Sequence, residues 1–309
     1  RRRCITWFGD KMHCEGNLIR VSIKESFMNE FAQVTADMRK GNIVKVRELR
    51  SYTGQANHVA GLLYAWRPFL DALWAALAQN PAKKTRAPKY FIWRKQVDAS
   101  LEWLDIFMKG QLGKLSREWH FISYTTPATA MTMLLDASPF GLGGILIVEG
   151  IIIAYFSSAL SQHDVNVHTH LIGDSKGQQV WEALCVLVAL SLWKKAWQHR
   201  RVALCLKSDN TAALVMAARL KGKGSRALIA RELALLYSES SYEPSWLMHL
   251  PGVLNVAADA LSRISDPTKH YEVPEILSSA RKDAAPLRDR TFYATLMASQ
   301  SRRAKRKRP

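Results

Sequence analysis

Apolar positions along the chain change their period part-way, and the change separates a largely helical region from a strand-rich one. Residues 1–25 hold two apolar-rich runs, "CITWFGDKM" and "LIRVSI", around the turn residues "CEGN", the pattern of a β-hairpin. The spacing then becomes helical: Phe27, Phe31, Val34 and Met38 recur every three or four residues before Gly41, a usual helix stop. "KVRELRSYTGQANHVAGLLYAWRPFLDALWAALAQN" keeps that period, and Pro68 is expected to divide it into two helices. The basic, proline-flanked "PAKKTRAP" reads as a linker or exposed turn, and "DASLEWLDIFMKGQL" as another helix.

Beyond these helices the pattern turns to strands. "MTMLLDA", "GGILIVE" and "IIIAYFSS" are short, apolar and β-rich, with "SPFG" and "EG" between them, which predicts an antiparallel meander. A polar loop from about Gln162 to Gly177 leads to a long helix, "QQVWEALCVLVALSLWKKAWQ". Then follow a strand "RVALCLKS", helices "NTAALVMAARL" and "SRALIARELALLYSE", a strand "EPSWLMHL" and a short helix "NVAADALSR". The order βββαβα(α)βα is that of an α/β domain. From about Asp266 periodicity fades, and residues 266–309 are expected to form a basic, disordered tail with a marginal helix around "FYATLMAS".

Composition narrows the classes. With 309 residues, 48% of them hydrophobic, the chain can bury a sizeable core and is long enough for two domains. No run reaches the roughly 18 apolar residues of a membrane span, and "RRRCITWFGD" lacks the apolar stretch of a signal peptide. No membrane partner is expected. Without an initiator Met, the chain is expected to be a piece of a longer protein. Cys4, Cys14, Cys185 and Cys205 show neither C-x-x-C spacing nor the density of a disulfide scaffold, so reduced thiols and an intracellular location, cytoplasmic or nuclear, are expected. The net charge of +18 points to a polyanionic partner, nucleic acid being the commonest.

Four carboxylates stand where chemistry could use them: Asp136 at the end of the first strand of the meander, Glu182 early in the long helix, Asp209 at the end of the fourth strand and Asp259 in the last helix. Each has a plain structural reading. Asp209 could cap the helix it precedes, and Glu182 could favour the positive end of its own. If the first and fourth strands are neighbours, however, Asp136 and Asp209 lie side by side and the long helix can bring Glu182 to them. Three such carboxylates repel one another unless cations sit between them. Oxygen-only ligation favours Mg²⁺ or Mn²⁺, and no Cys/His set with zinc spacing competes. His168 and His170 form an H-x-H pair without matching partners.

"LLDASPFGLGGIL", "WEALCVLVAL", "LKSDNTAAL" and "HLPGVLNVAADALSR" resemble, in that order, the four acidic motifs of the ribonuclease H domain of retroelement polyproteins, over about residues 129–265. The resemblance implies a ribonuclease H-like fold, with a mixed five-stranded sheet flanked by helices. It also implies a two-metal site for Mg²⁺, which Mn²⁺ can replace. In that site Asp136 bridges both ions, Glu182 and Asp209 complete one site, and Asp259 completes the other. Gly141, Gly143 and Gly144 then permit a tight turn and a close backbone approach, although a plain hairpin explains them as well. One departure stands out. Many ribonucleases H carry a mobile His just before the last acidic helix; here that loop is "PGVLN", and His249 precedes it on the strand, read as structural. A modest turnover or a different release route is expected.

The N-terminal third resembles the back of a reverse transcriptase. "WFGDKM" is similar to the turn that ends the palm, and "RELRSYTGQANHVAGLLYAWRPFLDAL" to the thumb helices, while the polymerase's Y-x-D-D signature is absent. The resemblance divides the chain into a palm end (1–25), a thumb-like helical region (26–80), a linker or connection (81–128), the ribonuclease H-like domain (129–265) and the tail (266–309). It implies an endonuclease cutting the RNA strand of RNA–DNA hybrids, working with an upstream polymerase part of the same polyprotein and unable to polymerise alone. Arg219, Lys221, Lys223 and Arg226, on the Gly-loosened "RLKGKGSR", are candidate phosphate contacts or a solvated loop. The terminal "RRAKRKR" suits a localisation signal or a nucleic-acid arm equally. Two alternatives remain: an integrase or transposase of the same superfold, against which the fourth acidic motif and the lack of an H-H-C-C zinc module count, and a non-catalytic nucleic-acid-binding remnant.

Overall fold

Gly16, at φ +59°, reverses the chain between two strands, as "CEGN" predicts. The computed structural model describes residues 3–7, 10–78, 87–198, 201–240, 244 and 246–296. It divides into two compact units, residues 1–125 with 237–241, and residues 126–236 with 242–309.

In the first unit the expected hairpin is part of something larger. Strands β1 (Arg3–Trp7), β2 (Asp10–Glu15) and β3 (Leu18–Ile23) pair antiparallel in sequence. "CITWFGDKM" is thus two strands, and Ser116–His120 from the expected connection adds to β3. Ile43–Lys45 (β4) and Phe91–Trp93 (β5) form a second pairing, too short for a period-two pattern to register; Ser116–His120 is therefore β6. Helices α1 (Glu25–Lys40), α2 (Val46–Leu62), α3 (Arg67–Ala78) and α4 (Asp98–Met108) fill the rest. Pro68 sits in the first turn of α3, where its missing N–H costs nothing, so the break falls just before it. Phe31 stacks on Tyr52 at 4.4 Å and packs on Trp66, which in turn stacks on Phe107; these rings are the unit's core. Most of "PAKKTRAP" lies outside the described residues.

The second unit is built on six strands: β7 (Thr129–Ala137), β8 (Gly141–Val148), β9 (Ile151–Ala159), β10 (Val202–Ser208), β11 (Trp246–His249) and β12 (Arg281–Lys282). Their order is β11-β10-β7-β8-β9-β12. β7, β8 and β9 are an antiparallel meander, turning at Glu149 and Gly150, both at positive φ; β10 runs parallel to β7, and β11 parallel to β10. The first and fourth strands of the unit are thus neighbours, as the carboxylate argument requires. Helices α5 (Gln162–His168), α6 (Gln178–Leu192), α7 (Thr211–Arg219), α8 (Arg226–Glu239) and α9 (Val256–Arg263) complete it. Helix α6 packs on β7 and β8, α7 packs on α6, and α9 lies across β7, β8 and β9. This mixed sheet flanked by helices is the α/β architecture the sequence predicts, with six strands in place of the expected five because β12 adds to the edge beside β9.

Two expectations change. The polar stretch 162–177 is not all loop: Ser161 and Asp164 form a reciprocal capping box that starts α5. The stretch after Asp266 is no simple tail. Through residue 296 it packs on the domain: β12 extends the sheet beside β9, Leu277 and Tyr293 are buried, and Arg288 makes a buried ion pair with Asp164 at 3.0 Å. Its anchors are single residues at irregular intervals, so no period announces them. A helical turn covers 294–296, and residues 297–309, the end of "FYATLMAS" and the basic terminus, lie outside the described residues.

Candidate active site

Asp136 is the next-to-last residue of β7, a largely apolar strand, and is 4% exposed. Glu182 belongs to α6, where every residue from Val180 to Leu190 is buried. A helix apolar on all sides belongs inside a fold, so its one carboxylate is carried into the interior with it. Asp209 follows the last residue of β10 and is exposed. It does not cap α7; Asn210 does, accepting from the Ala213 N–H at 3.0 Å. Ligand oxygens of Asp136, Glu182 and Asp209 all lie within 4.8 Å of one another, the only group of three or more such side chains among the described residues.

Asp259 stands apart from these three. It is half-buried on α9, and its Oδ1 accepts from Arg263 Nε at 2.7 Å. Its charge is nonetheless felt at Asp136. Burial pushes the Asp136 carboxyl up to about 7, against the Ser262 hydroxyl that favours its ionised form, with Asp259 and Asp209 repelling it further. Burial likewise raises Glu182 well above the usual carboxylate range, with Asp136 adding to the effect.

Neighbouring side chains hold this cluster. Gln178 Nε2 donates to Glu182 Oε1 at 2.9 Å and to the Ala137 carbonyl, tying α6 to the end of β7. Asn255 Nδ2 donates to the Leu135 carbonyl at 3.0 Å. The buried Cys185 thiol lies 3.2 Å from the Asp136 carbonyl and 3.3 Å from that of Gly143, and burial keeps it protonated. Ser262 Oγ donates to Asp136 Oδ2 at 2.7 Å. None of the four breaks an apolar pattern in the sequence as the carboxylates do. A signal existed for Ser262: it follows Asp259 by three residues, one helical turn.

The glycines after Asp136 divide by role. A Cβ on Gly143 would stand 2.6 Å from Ala258 O and Ser262 N, and one on Gly141 2.7 Å from Ser262 O. Both therefore serve the close approach of α9, while Gly144 faces Phe156 and Leu135.

Arg219 ends α7, and Lys221 and Lys223 are exposed on the loop to α8, with Arg226 half-buried at its far side. His168 is fully buried, its Nε2 3.0 Å from Tyr293 Oη, so it is a core residue. His249 is exposed on the edge strand β11.

The three clustered side chains fit a divalent cation. All donors are carboxylate oxygens, which suits Mg²⁺ or Mn²⁺, and two are buried beside like charge, where a cation would favour the ionised form. No described helix is long and apolar enough to cross a membrane.

No protein-family model and no curated protein matches the chain. Among solved structures, ribonuclease H1 of the halophilic archaeon Halobacterium salinarum NRC-1 is similar at 14% identity and TM-score 0.33, over 46% of this chain and 100% of that one. A foamy viral protease–reverse transcriptase in complex with RNA/DNA hybrid is similar at 13% identity and TM-score 0.31, over 82% of this chain and 30% of that one.

Proposed function

We propose that the chain is the ribonuclease H portion of a retroelement reverse transcriptase, a metal-dependent endonuclease that cuts the RNA strand of RNA–DNA hybrids. The observation that carries the reading is the convergence of Asp136, Glu182 and Asp209, from two adjacent parallel strands and a buried helix, within 4.8 Å. Asp136, Glu182 and Asp209 would hold the ions, with Asp136 as the shared ligand, and Asp259 would serve a second position once freed from Arg263. The chemistry supplied by two Mg²⁺ or Mn²⁺ ions, when bound, is activation of a water and stabilisation of the leaving oxygen in phosphodiester cleavage.

The chain's own residues set the stage for that chemistry. Burial of Asp136 and Glu182 removes competing water from one side of the cluster, and the exposed Asp209 leaves the other side open to a backbone phosphate. Gln178 fixes the rotamer of Glu182. Arg219, Lys221, Lys223 and Arg226 contribute sequence-independent phosphate contacts. The upstream polymerase part of the same polyprotein is the expected partner.

The test is cleavage of matched RNA–DNA, RNA–RNA and DNA–DNA duplexes in Mg²⁺. Cleavage of the hybrid's RNA strand, abolished in Asp136→Asn with hybrid binding intact, is expected. Undiminished cleavage by that variant would sink the reading.

A further inference from the structure

We propose that Ser262 is a positioning residue for Asp136, holding one carboxylate oxygen so that the other faces the metal; the inference rests on the metal-dependent reading above. Ser262 is fully buried on α9 and its Oγ donates to Asp136 Oδ2 at 2.7 Å. The same Oγ lies 2.8 Å from the Asp259 carbonyl oxygen. A hydroxyl carries one hydrogen, so the two oxygens compete for it, and an ionised carboxylate is the stronger acceptor. Ser262 thereby links the strand bearing Asp136 to the turn of α9 bearing Asp259. Among the described residues the remaining oxygen, Oδ1, has only Asn255 Nδ2 at 3.5 Å, the limit of a hydrogen bond, and so keeps its lone pairs for an ion.

A buried serine at a helix–sheet contact could simply fasten the helix. Two other hydroxyls do that without touching a carboxylate: Ser138 Oγ donates to Ser262 O at 2.7 Å, and Ser157 Oγ to Leu261 O at 2.7 Å. What sets Ser262 apart is that its partner is a metal-holding side chain. Partners that orient a ligand in this way are worth roughly ten- to a hundredfold in metal affinity.

The experiment measures Mn²⁺ binding to the full chain by electron paramagnetic resonance of the free ion, with melting temperature followed in parallel. Ser262→Ala is expected to weaken Mn²⁺ binding roughly tenfold or more. The Mn²⁺ concentration for half-maximal hybrid cleavage should shift by the same factor while KM for the hybrid stays unchanged. Ser262→Thr, which restores the hydroxyl, should recover much of the affinity, and Ser157→Ala should bind Mn²⁺ as the unmodified protein does. If Ser262→Ala loses its fold, Ser262→Cys, similar in size but a weak donor, takes its place with the same expectation. Unchanged Mn²⁺ affinity in the Ser262 variant, or an equal loss in Ser157→Ala, would overturn the positioning role alone. Failure of the unmodified protein to bind Mn²⁺ would overturn the metal reading and the positioning role together.

Discussion

Gly143 stands directly opposite Asp136 in the β7–β8 ladder, and the helix that carries Asp259 rests on the space its missing side chain leaves. A Cβ there would lie 2.6 Å from the Ala258 carbonyl oxygen and 2.8 Å from Leu261 Cβ, against helix backbone that cannot move aside without sliding all of α9. Gly143→Ala is therefore expected to destabilise the domain by about 1–3 kcal/mol, the usual range for overpacking. It should also abolish hybrid cleavage, because Asp259 and Ser262 shift with the helix. Urea denaturation and a cleavage assay check both effects, and a variant of unchanged stability and activity would refute the close-approach role.

Removing a charge from the carboxylate cluster should have opposite effects with and without metal. Asp136 is desolvated and faces Glu182, Asp209 and Asp259, all of like sign, so an uncharged amide in its place relieves both costs. Asp136→Asn is expected to melt at a higher temperature than the unmodified protein in chelator. With Mg²⁺ the unmodified protein should gain stability, by about 2.7 kcal/mol at a hundred times its Kd, and the variant should not. Thermal melts with and without Mg²⁺ decide it. A lower melting temperature in chelator together with a retained Mg²⁺ shift would argue against a repulsive, cation-binding cluster.

The carboxylates could be read from the sequence because each interrupts or ends an apolar run: Asp136 after "MTMLL", Glu182 inside "VWEALCVLVAL" and Asp209 after "VALCLKS". Adjacent candidates could not be separated that way. Asp209 and Asn210 are both good caps, and only the backbone reveals that Asn210 takes the role. Gly141 and Gly143 looked as much like turn residues as like a landing site, since the helix that needs them lies more than a hundred residues on. The segment after Asp266 is illegible in the sequence for a different reason. Its order comes from a few specific partners, such as Arg288 with Asp164, and such pairs leave no periodic trace.

That ion pair should matter more than surface pairs do. Arg288 is 6% exposed; its guanidinium bonds both Asp164 oxygens, at 3.0 and 3.1 Å from Nε, as well as Ser158 Oγ and the Ala159 carbonyl. Asp164 also closes the capping box of α5, so it cannot swing away. Arg288→Ala would leave a buried carboxylate uncompensated, at a cost of about 3–5 kcal/mol. Chemical denaturation measures this, and a loss below about 1 kcal/mol would place the pair among exposed ones.

His168 should make the same region acid-sensitive. Burial holds its imidazole down at about 4, with Asp164 opposing and His170, Arg288 and His163 adding to the depression. An exposed imidazole titrates near 6.5, so between about 6.5 and about 4 the unfolded chain takes up a proton that the folded one refuses. Stability from this source is complete above about pH 6.5 and declines as pH falls towards 4, by about 3 kcal/mol in all. His168→Phe keeps a ring in the core but has no proton to gain. It should be somewhat less stable at neutral pH through loss of the Tyr293 hydrogen bond, and its stability should fall less steeply with acid. Denaturant titrations between about pH 7 and about pH 4.5 compare the slopes; equal slopes in the two proteins would show that His168 is not the group responsible.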